Sequence, residues 1–260
     1  GCEVIFDHSH TKITRRYTGP ARLVWTIHDW QNWPPMGAPR AMVESMVGSS
    51  RVVWVSPSRA HAEHLQDIYG VDPVVINHGL PPELYSPRPK DGSLAFLARM
   101  QWFKGPMKFI EYCRRWRRRC VMMGDDVMIP RHDLPFATMV MHRAAREGEE
   151  YLGQVPYAEA MERVARASVL VSPLSPRYGE VFGLNLIEAM LSGTPVLTTE
   201  SVSPEVVPPG TGLRVREGEL MDVDPAELER FDPEGVRRIA VERFSSRRMA
   251  LEYLRAVGEE

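Results

Sequence analysis

Short β-branched apolar runs alternate along this chain with longer stretches whose apolar residues recur at helical spacing. Val4 to Phe6, Leu23 to Ile27, Val52 to Val55, Val74 to Ile76, Leu94 to Leu97, Val121 to Met123, Val169 to Val171 and Val196 to Thr198 read as buried strands. Pro57 to Tyr69, Pro106 to Arg118, Tyr157 to Ala167 and Gly183 to Ser192 carry apolar positions at i, i+3, i+4 and i+7, which predicts amphipathic helices. Strands alternating with helices predict an α/β protein on parallel, doubly wound sheets.

Proline and glycine interrupt both periodicities from Gly79-Leu80-Pro81-Pro82 through Pro87-Arg88-Pro89-Lys90-Asp91-Gly92, and a linker is expected there. Residues 93 to about 230 hold enough strand and helix units for a full nucleotide-binding domain. The upstream part has only about four strands, which is short for a second one. The chain opens on Gly1, directly into a strand-like run, so an upstream segment is expected to be missing or processed. The tail from Asp232 to Val257 is predicted helical, with Ile239, Phe244, Met249, Leu251 and Leu254 as candidate buried positions.

Composition narrows the class. Of 260 residues, 43% are hydrophobic and 25% charged, which excludes wholesale disorder. Lys+Arg 32 against Asp+Glu 34 gives a net charge of -2, so no global field holds nucleic acid or an anionic membrane, and any basic site must be local. No apolar run approaches the roughly 18 residues that span a bilayer, and the N-terminus lacks a signal-peptide layout. Cys2, Cys113 and Cys120 are odd in number with no C-x-x-C pair, which predicts neither a disulfide framework nor a zinc site and points to a reducing, cytoplasmic setting.

Two stretches carry chemistry. In Glu180-Val-Phe-Gly-Leu-Asn-Leu-Ile-Glu188, Gly183 begins a helix, and Gly193 stands where a left-handed cap is wanted. The amides of Phe182, Gly183 and Leu184 at the positive end of that helix suit a phosphate, and the two carboxylates suit sugar and ribose hydroxyls. The plain alternative is a dipole partner at Glu180 and a solvated helix residue at Glu188. In Leu94 to Pro106 a strand runs into a loop bearing Arg99 and Lys104, where open α/β sheets place ligands and where two cations suit a diphosphate. Taken alone, these are two surface cations.

Together, Arg99 with Lys104-Gly105, then Met122-Met123-Gly124-Asp125, Tyr151-Leu152-Gly153-Gln154-Val155, Ser172-Pro173-Leu174 and Glu180 to Gly193-Thr194-Pro195, resemble the family-4 retaining glycosyltransferases in order and spacing. Upstream, Thr26-Ile27-His28-Asp29, Ser56-Pro57-Ser58 and Asn77-His78-Gly79-Leu80 agree more weakly. The resemblance implies a GT-B fold of two Rossmann-like doubly wound domains, the N-terminal one incomplete. Residues 1–88 would be the acceptor-side domain and 89–231 the nucleotide-sugar-binding domain, with 232–260 a helical tail packing back toward the first. It implies that Arg99 and Lys104 stabilise a departing diphosphate and that Glu188 binds the ribose. Glu180 with the backbone of Phe182, Gly183 and Leu184 would hold sugar hydroxyls and phosphate, and His28 would reach the donor sugar. Gly124 and Val155, inside the same motifs, join the donor-binding set. The implied reaction moves a hexose, with retention, from a UDP-, GDP- or ADP-linked sugar to a hydroxyl acceptor on a sugar, glycan or lipid-linked carrier. No metal or other cofactor and no nucleic acid is implied, while peripheral membrane contact and homo-oligomerisation stay open. The chain departs from the family pattern at Ser201-Val202-Ser203-Pro204-Glu205, where a Gly-Gly pair is usual.

Other readings compete. A chain that binds a nucleotide sugar without catalysis and needs a partner subunit is the second hypothesis. His8, His10 and His28 beside Asp7 and Asp29 suggest a metal hydrolase as the third. The run Arg114-Arg115-Trp116-Arg117-Arg118-Arg119 suggests a nucleic-acid or lipid site, or else a solvated helix end whose cations offset the dipole. Trp25, Trp30, Trp33 and Trp102 either stack on a base or sugar or pack as core.

Overall fold

Two parallel sheets, in two units, organise the computed structural model, which describes residues 2–9, 13–28, 46–124 and 131–258. One unit is Gly1–Gly79 with Ser246–Glu260, the other Leu80–Ser245. The first unit holds β1 (Val4–Asp7), β2 (Arg22–Thr26), β3 (Val52–Ser56), α1 (Arg59–Tyr69) and β4 (Val74–Val75), with strand order β1-β2-β3-β4. Central β2 and β3 are apolar because both faces are covered: Leu23, Trp25 and Trp54 pack with Leu65 and Tyr69 of α1. Ser58 caps α1, accepting from the His61 amide, and Gly70 ends it in the left-handed conformation.

The second unit holds β5 (Leu94–Leu97), α2 (Pro106–Trp116), β6 (Cys120–Met123), α3 (Leu134–Glu147), β7 (Glu150–Gly153), α4 (Tyr157–Arg166), β8 (Val169–Ser172), α5 (Leu184–Leu191), β9 (Val196–Thr199), β10 (Gly212–Val215), α6 (Pro225–Leu228) and α7 (Pro233–Phe244). Its sheet order is β10-β9-β8-β5-β6-β7, all parallel, with Leu94 in register with Cys120 on one side and Val169 on the other. Strand alternation splits the core between the two faces. Ala95, Val121 and Leu170 pack with α4, α5 and α7, whereas Leu94, Phe96, Met122 and Val171 pack with α2 and α3. The chain then returns as α8 (Ser246–Ala256) to the first unit, where Tyr253 packs with Val24, Val55 and Ile76 and its hydroxyl meets Thr26 Oγ1 at 2.7 Å.

The structure adds to and corrects the sequence reading. β7, β10 and α3 were not expected. β7 and β10 are the two sheet edges, partly exposed along their whole length, so they lack the apolar run of a central strand. Leu134, Met139 and Met141 of α3 are exposed while small Ala137 and Ala144 face inward, which blurs its amphipathic pattern. Among the tail candidates Phe244 is buried, but Leu251 and Leu254 are exposed, and Tyr253 takes the inward position. Cys113 and Cys120 are paired as a disulfide, against the expectation of none: left-handed Arg117 ends α2 and turns the chain directly into β6, leaving their Cα atoms 6.1 Å apart. Cysteine usage therefore no longer argues for a reducing compartment. No helix among the described residues is long and apolar enough to cross a membrane.

Candidate functional site

From β5 the chain of the second unit winds outward through β6 and β7, then returns to β8 beside β5 and winds the other way through β9 and β10. The reversal opens a crevice outside the carboxyl ends of β5 and β8, where such sheets hold their ligands. Arg99 and Lys104 lie on the loop leaving β5, and Glu180, Phe182 and Gly183 on the loop leaving β8, which ends at Leu184, the first residue of α5. Gly124 follows β6 and Val155 follows β7. Nine of the ten expected site residues thus belong to this unit, seven on the segments that follow its strands and Leu184 and Glu188 within α5.

Packing brings the two central loops together. Gly105 has φ 76°, and a Cβ there would overlap the Pro173 carbonyl oxygen, so only glycine lets them meet. The Ser175 amide donates to the Phe103 carbonyl at 2.8 Å, and the Phe103 and Tyr178 rings stack 3.8 Å apart. Asn185 Nδ2 donates to the Leu97 carbonyl at 2.9 Å, tying the first turn of α5 to the end of β5. The β8 loop is also held from β9: Thr199 Oγ1 donates to the Leu174 carbonyl, and the Glu180 amide to the Ser201 carbonyl at 3.0 Å. This last contact lies in the segment that departs from the family pattern.

Lys104 Nζ is ion-paired with Glu180 Oε2 and sits 5.7 Å from the Phe103 ring centre. Arg99 is exposed. Phe182 is buried edge-on against Phe244, so its ring serves as core. Gly183, at φ 87°, is the N-cap of α5, whose first amides lack intrahelical acceptors. On α5, Glu188 Oε1 accepts from the Tyr157 hydroxyl at 2.8 Å, and Tyr157 in turn meets the Tyr85 hydroxyl at 2.5 Å. Burial holds the Glu188 carboxyl above the usual carboxylate range, offset in part by the Tyr157 hydrogen bond. Burial, then the hydrogen bond donated to Glu188 and that carboxylate's charge, raises Tyr157 far above an ordinary phenol. Neither tyrosine is marked for a role by the sequence, because their partners come from separate elements and no spacing links them.

His28 belongs to the other unit, after β2. Its Nε2 lies 3.1 Å from His8 Nδ1, and its ring stacks on His78 at 5.2 Å. Burial, with positive charge from His8 and Arg248, pushes His78 down to about 4. Of the metal-hydrolase residues, His8 and His28 are adjacent, but His10 and Asp29 lie outside the described residues. No group of three or more His, Cys, Asp or Glu side chains among the described residues is arranged to hold a metal ion.

The remaining candidates resolve as packing where they are described. Trp25 is core, edge-on to Trp54, with its Nε1 donating to Thr14 Oγ1, and Trp102 is half exposed against Phe103. Trp30, Trp33 and Asp125 lie outside the described residues. In the basic run, Arg114 pairs with Glu147, Arg115 with Asp222, Arg118 with Glu229 and Arg119 with Asp91. Most of its charge is thus matched locally.

Residues 91–229, more than half of the chain, match the model of the family described as glycosyl transferases group 1. Among solved structures, Anabaena HepE in complex with UDP and glucose is 16% identical with a TM-score of 0.76, over 99% of this chain and 78% of that one. AviGT4, a glycosyltransferase involved in avilamycin A biosynthesis, is 21% identical with a TM-score of 0.73, over 98% and 72%. Sucrose-phosphate synthase from Thermosynechococcus elongatus is 20% identical with a TM-score of 0.72, over 93% and 68%. No curated protein sequence matches the chain.

Proposed function

The chain belongs to the glycosyl transferases group 1 family, and from that membership we propose that it moves a hexose, with retention, from a nucleoside diphosphate sugar to a hydroxyl acceptor. The observation that carries the proposal is the meeting of the β5 and β8 loops at the strand-order reversal, which sets Lys104 against Glu180 beside the start of α5. The crevice combines fixed positive potential for a diphosphate with carboxylates for sugar hydroxyls. HepE, with UDP and glucose bound, shares the fold, and this supports a nucleotide sugar as donor.

In this reading Arg99, Lys104 and the first amides of α5 take the charge that grows on the diphosphate as the bond from the anomeric carbon to phosphate oxygen breaks. The acceptor oxygen bonds to that carbon on the same face, and its proton passes to the departing phosphate oxygen. Glu180 holds sugar hydroxyls, Glu188 binds the ribose, and Gly124 and Val155 border the nucleoside. No separate protein nucleophile is assigned, and the protein's own cations, without a metal, stabilise the leaving group.

Incubation with a panel of α-linked UDP-, GDP- and ADP-sugars and simple sugar or lipid-linked acceptors, read by NMR of the new anomeric proton, tests it. An α-linked product is expected. A β-linked product would overturn retention, and no transfer with any pair would overturn catalysis by the isolated chain.

A further inference from the structure

Glu188, in the reading above, meets the ribose, yet a carboxylate on a flexible stem binds a diol tightly only if something fixes its rotamer. We infer that Tyr157 is the positioning residue that fixes Glu188 for the ribose diol, and that Tyr85 fixes Tyr157 in turn. The inference rests on the donor-site reading. Tyr157 is the first residue of α4, directly after the β7 loop that carries Val155, and its hydroxyl donates to Glu188 Oε1 at 2.8 Å. That bond uses its only proton, so across the 2.5 Å contact the Tyr85 hydroxyl must be the donor. The proton order therefore runs one way, from Tyr85 to Tyr157 to Glu188.

The start of this chain is rigid and its end is open. Tyr85 is 3% exposed and packed in the core of the second unit, whereas Tyr157 is 52% exposed. A charge-assisted hydrogen bond ends on the carboxylate, and each link polarises the next. Among the described residues the Glu188 side chain has no second hydrogen bond, so Oε2 and the free lone pair of Oε1 are left for two donors. Adjacent 2′ and 3′ hydroxyls supply two O–H donors, whereas a 2′-deoxyribose supplies one. Tyr157 thus sets discrimination between ribonucleotides and deoxyribonucleotides without touching the sugar.

The test is calorimetric titration of the full chain with UDP, GDP and ADP and with their 2′-deoxy counterparts, in wild type, Tyr157→Phe, Tyr85→Phe and Glu188→Gln. The readout is the ratio of the deoxy to the ribo dissociation constant. Loss of one hydrogen bond to a charged group predicts a wild-type ratio of about 10 or more. Tyr157→Phe should bring it to within about threefold of unity while deoxynucleotide affinity moves less than about twofold. Tyr85→Phe should lower the ratio by less, and Glu188→Gln should abolish it. Equal weakening of both ligand types, an unchanged ratio or a raised ratio in Tyr157→Phe would overturn the inference and leave the donor site standing. A ratio kept in Glu188→Gln would place the ribose elsewhere. No binding of any nucleotide by wild type would overturn the donor-site reading, and this inference with it.

Discussion

Lys104 and Glu180 neutralise one another across the crevice, each less than one-fifth exposed. A nucleoside diphosphate must therefore draw Lys104 away from a carboxylate before it gains the full value of the cation. The neutral isostere Glu180→Gln removes that competition. Free diphosphate should bind it several-fold more tightly than wild type, and turnover of a nucleotide sugar should fall by about 10-fold or more because the contact to sugar hydroxyls is weakened. Weaker binding of the free diphosphate would show that the pair supports the site rather than competing for it.

Gly105 and Gly183 differ in what surrounds them, and their alanine variants should differ accordingly. At Gly105 a Cβ meets the Pro173 backbone, which cannot give without moving the β8 loop, whereas at Gly183 its nearest neighbours are side-chain atoms, Leu186 Cδ1 at 3.2 Å and Glu180 Cγ at 3.5 Å. Left-handed strain of about 1–2 kcal/mol applies to both, and the overlap adds to it at Gly105. Urea denaturation should show Gly105→Ala as the more destabilised of the two, by at least about 2 kcal/mol relative to wild type. The reverse order would contradict the packing described.

His78 makes the first unit acid-sensitive. Its folded value of about 4, against an ordinary 6.5, means that the unfolded chain binds the proton first as pH falls. Burial is the main cause, and the positive charge of His8 and Arg248 adds to it. Its contribution is full above pH 6.5 and is lost as pH falls from there toward 4, amounting to roughly 2–4 kcal/mol. Denaturation midpoints should drop over that window in wild type and be flatter in His78→Gln. Equal slopes would remove His78 as the cause.

Glu188 gives nucleotide binding its own pH dependence. Its carboxyl is held above the usual range, so acidification protonates it before an ordinary carboxylate, and the preference for ribonucleotides should fall in that range. Tyr157→Phe, whose ratio already lies near unity, should show little pH dependence of the preference. Isothermal titrations across acidic pH, with UDP and 2′-deoxy-UDP, report both effects, and a preference independent of pH would exclude Glu188.

The sequence was most legible where burial is two-sided. Runs such as Val52-Val53-Trp54-Val55 and Val169-Leu170-Val171 announce central parallel strands, and Gly183 and Gly193 announce the ends of α5. Edge strands Glu150–Gly153 and Gly212–Val215 gave little signal, because half-exposed positions need not be apolar. Arg99, Lys104 and Glu180 could be picked out because each sits on a segment between a strand and a helix, and Glu188 because it shares the motif of Glu180. Tyr85 and Tyr157 could not, since 72 residues separate them and only the fold of the linker segment against α4 makes them partners. The basic run misled in the opposite sense: its acidic partners, Asp91, Glu147, Asp222 and Glu229, lie in other segments.

Titration of the chain with UDP-, GDP- and ADP-linked sugars and their free diphosphates, without metal, in wild type and Lys104→Ala is the sharpest test of a donor site on this unit. Saturable binding of one base class by wild type, weakened by about 10-fold or more in Lys104→Ala, is the predicted result. Binding by wild type that Lys104→Ala leaves unchanged, or no binding of any of them, would contradict a donor site at the meeting of the β5 and β8 loops.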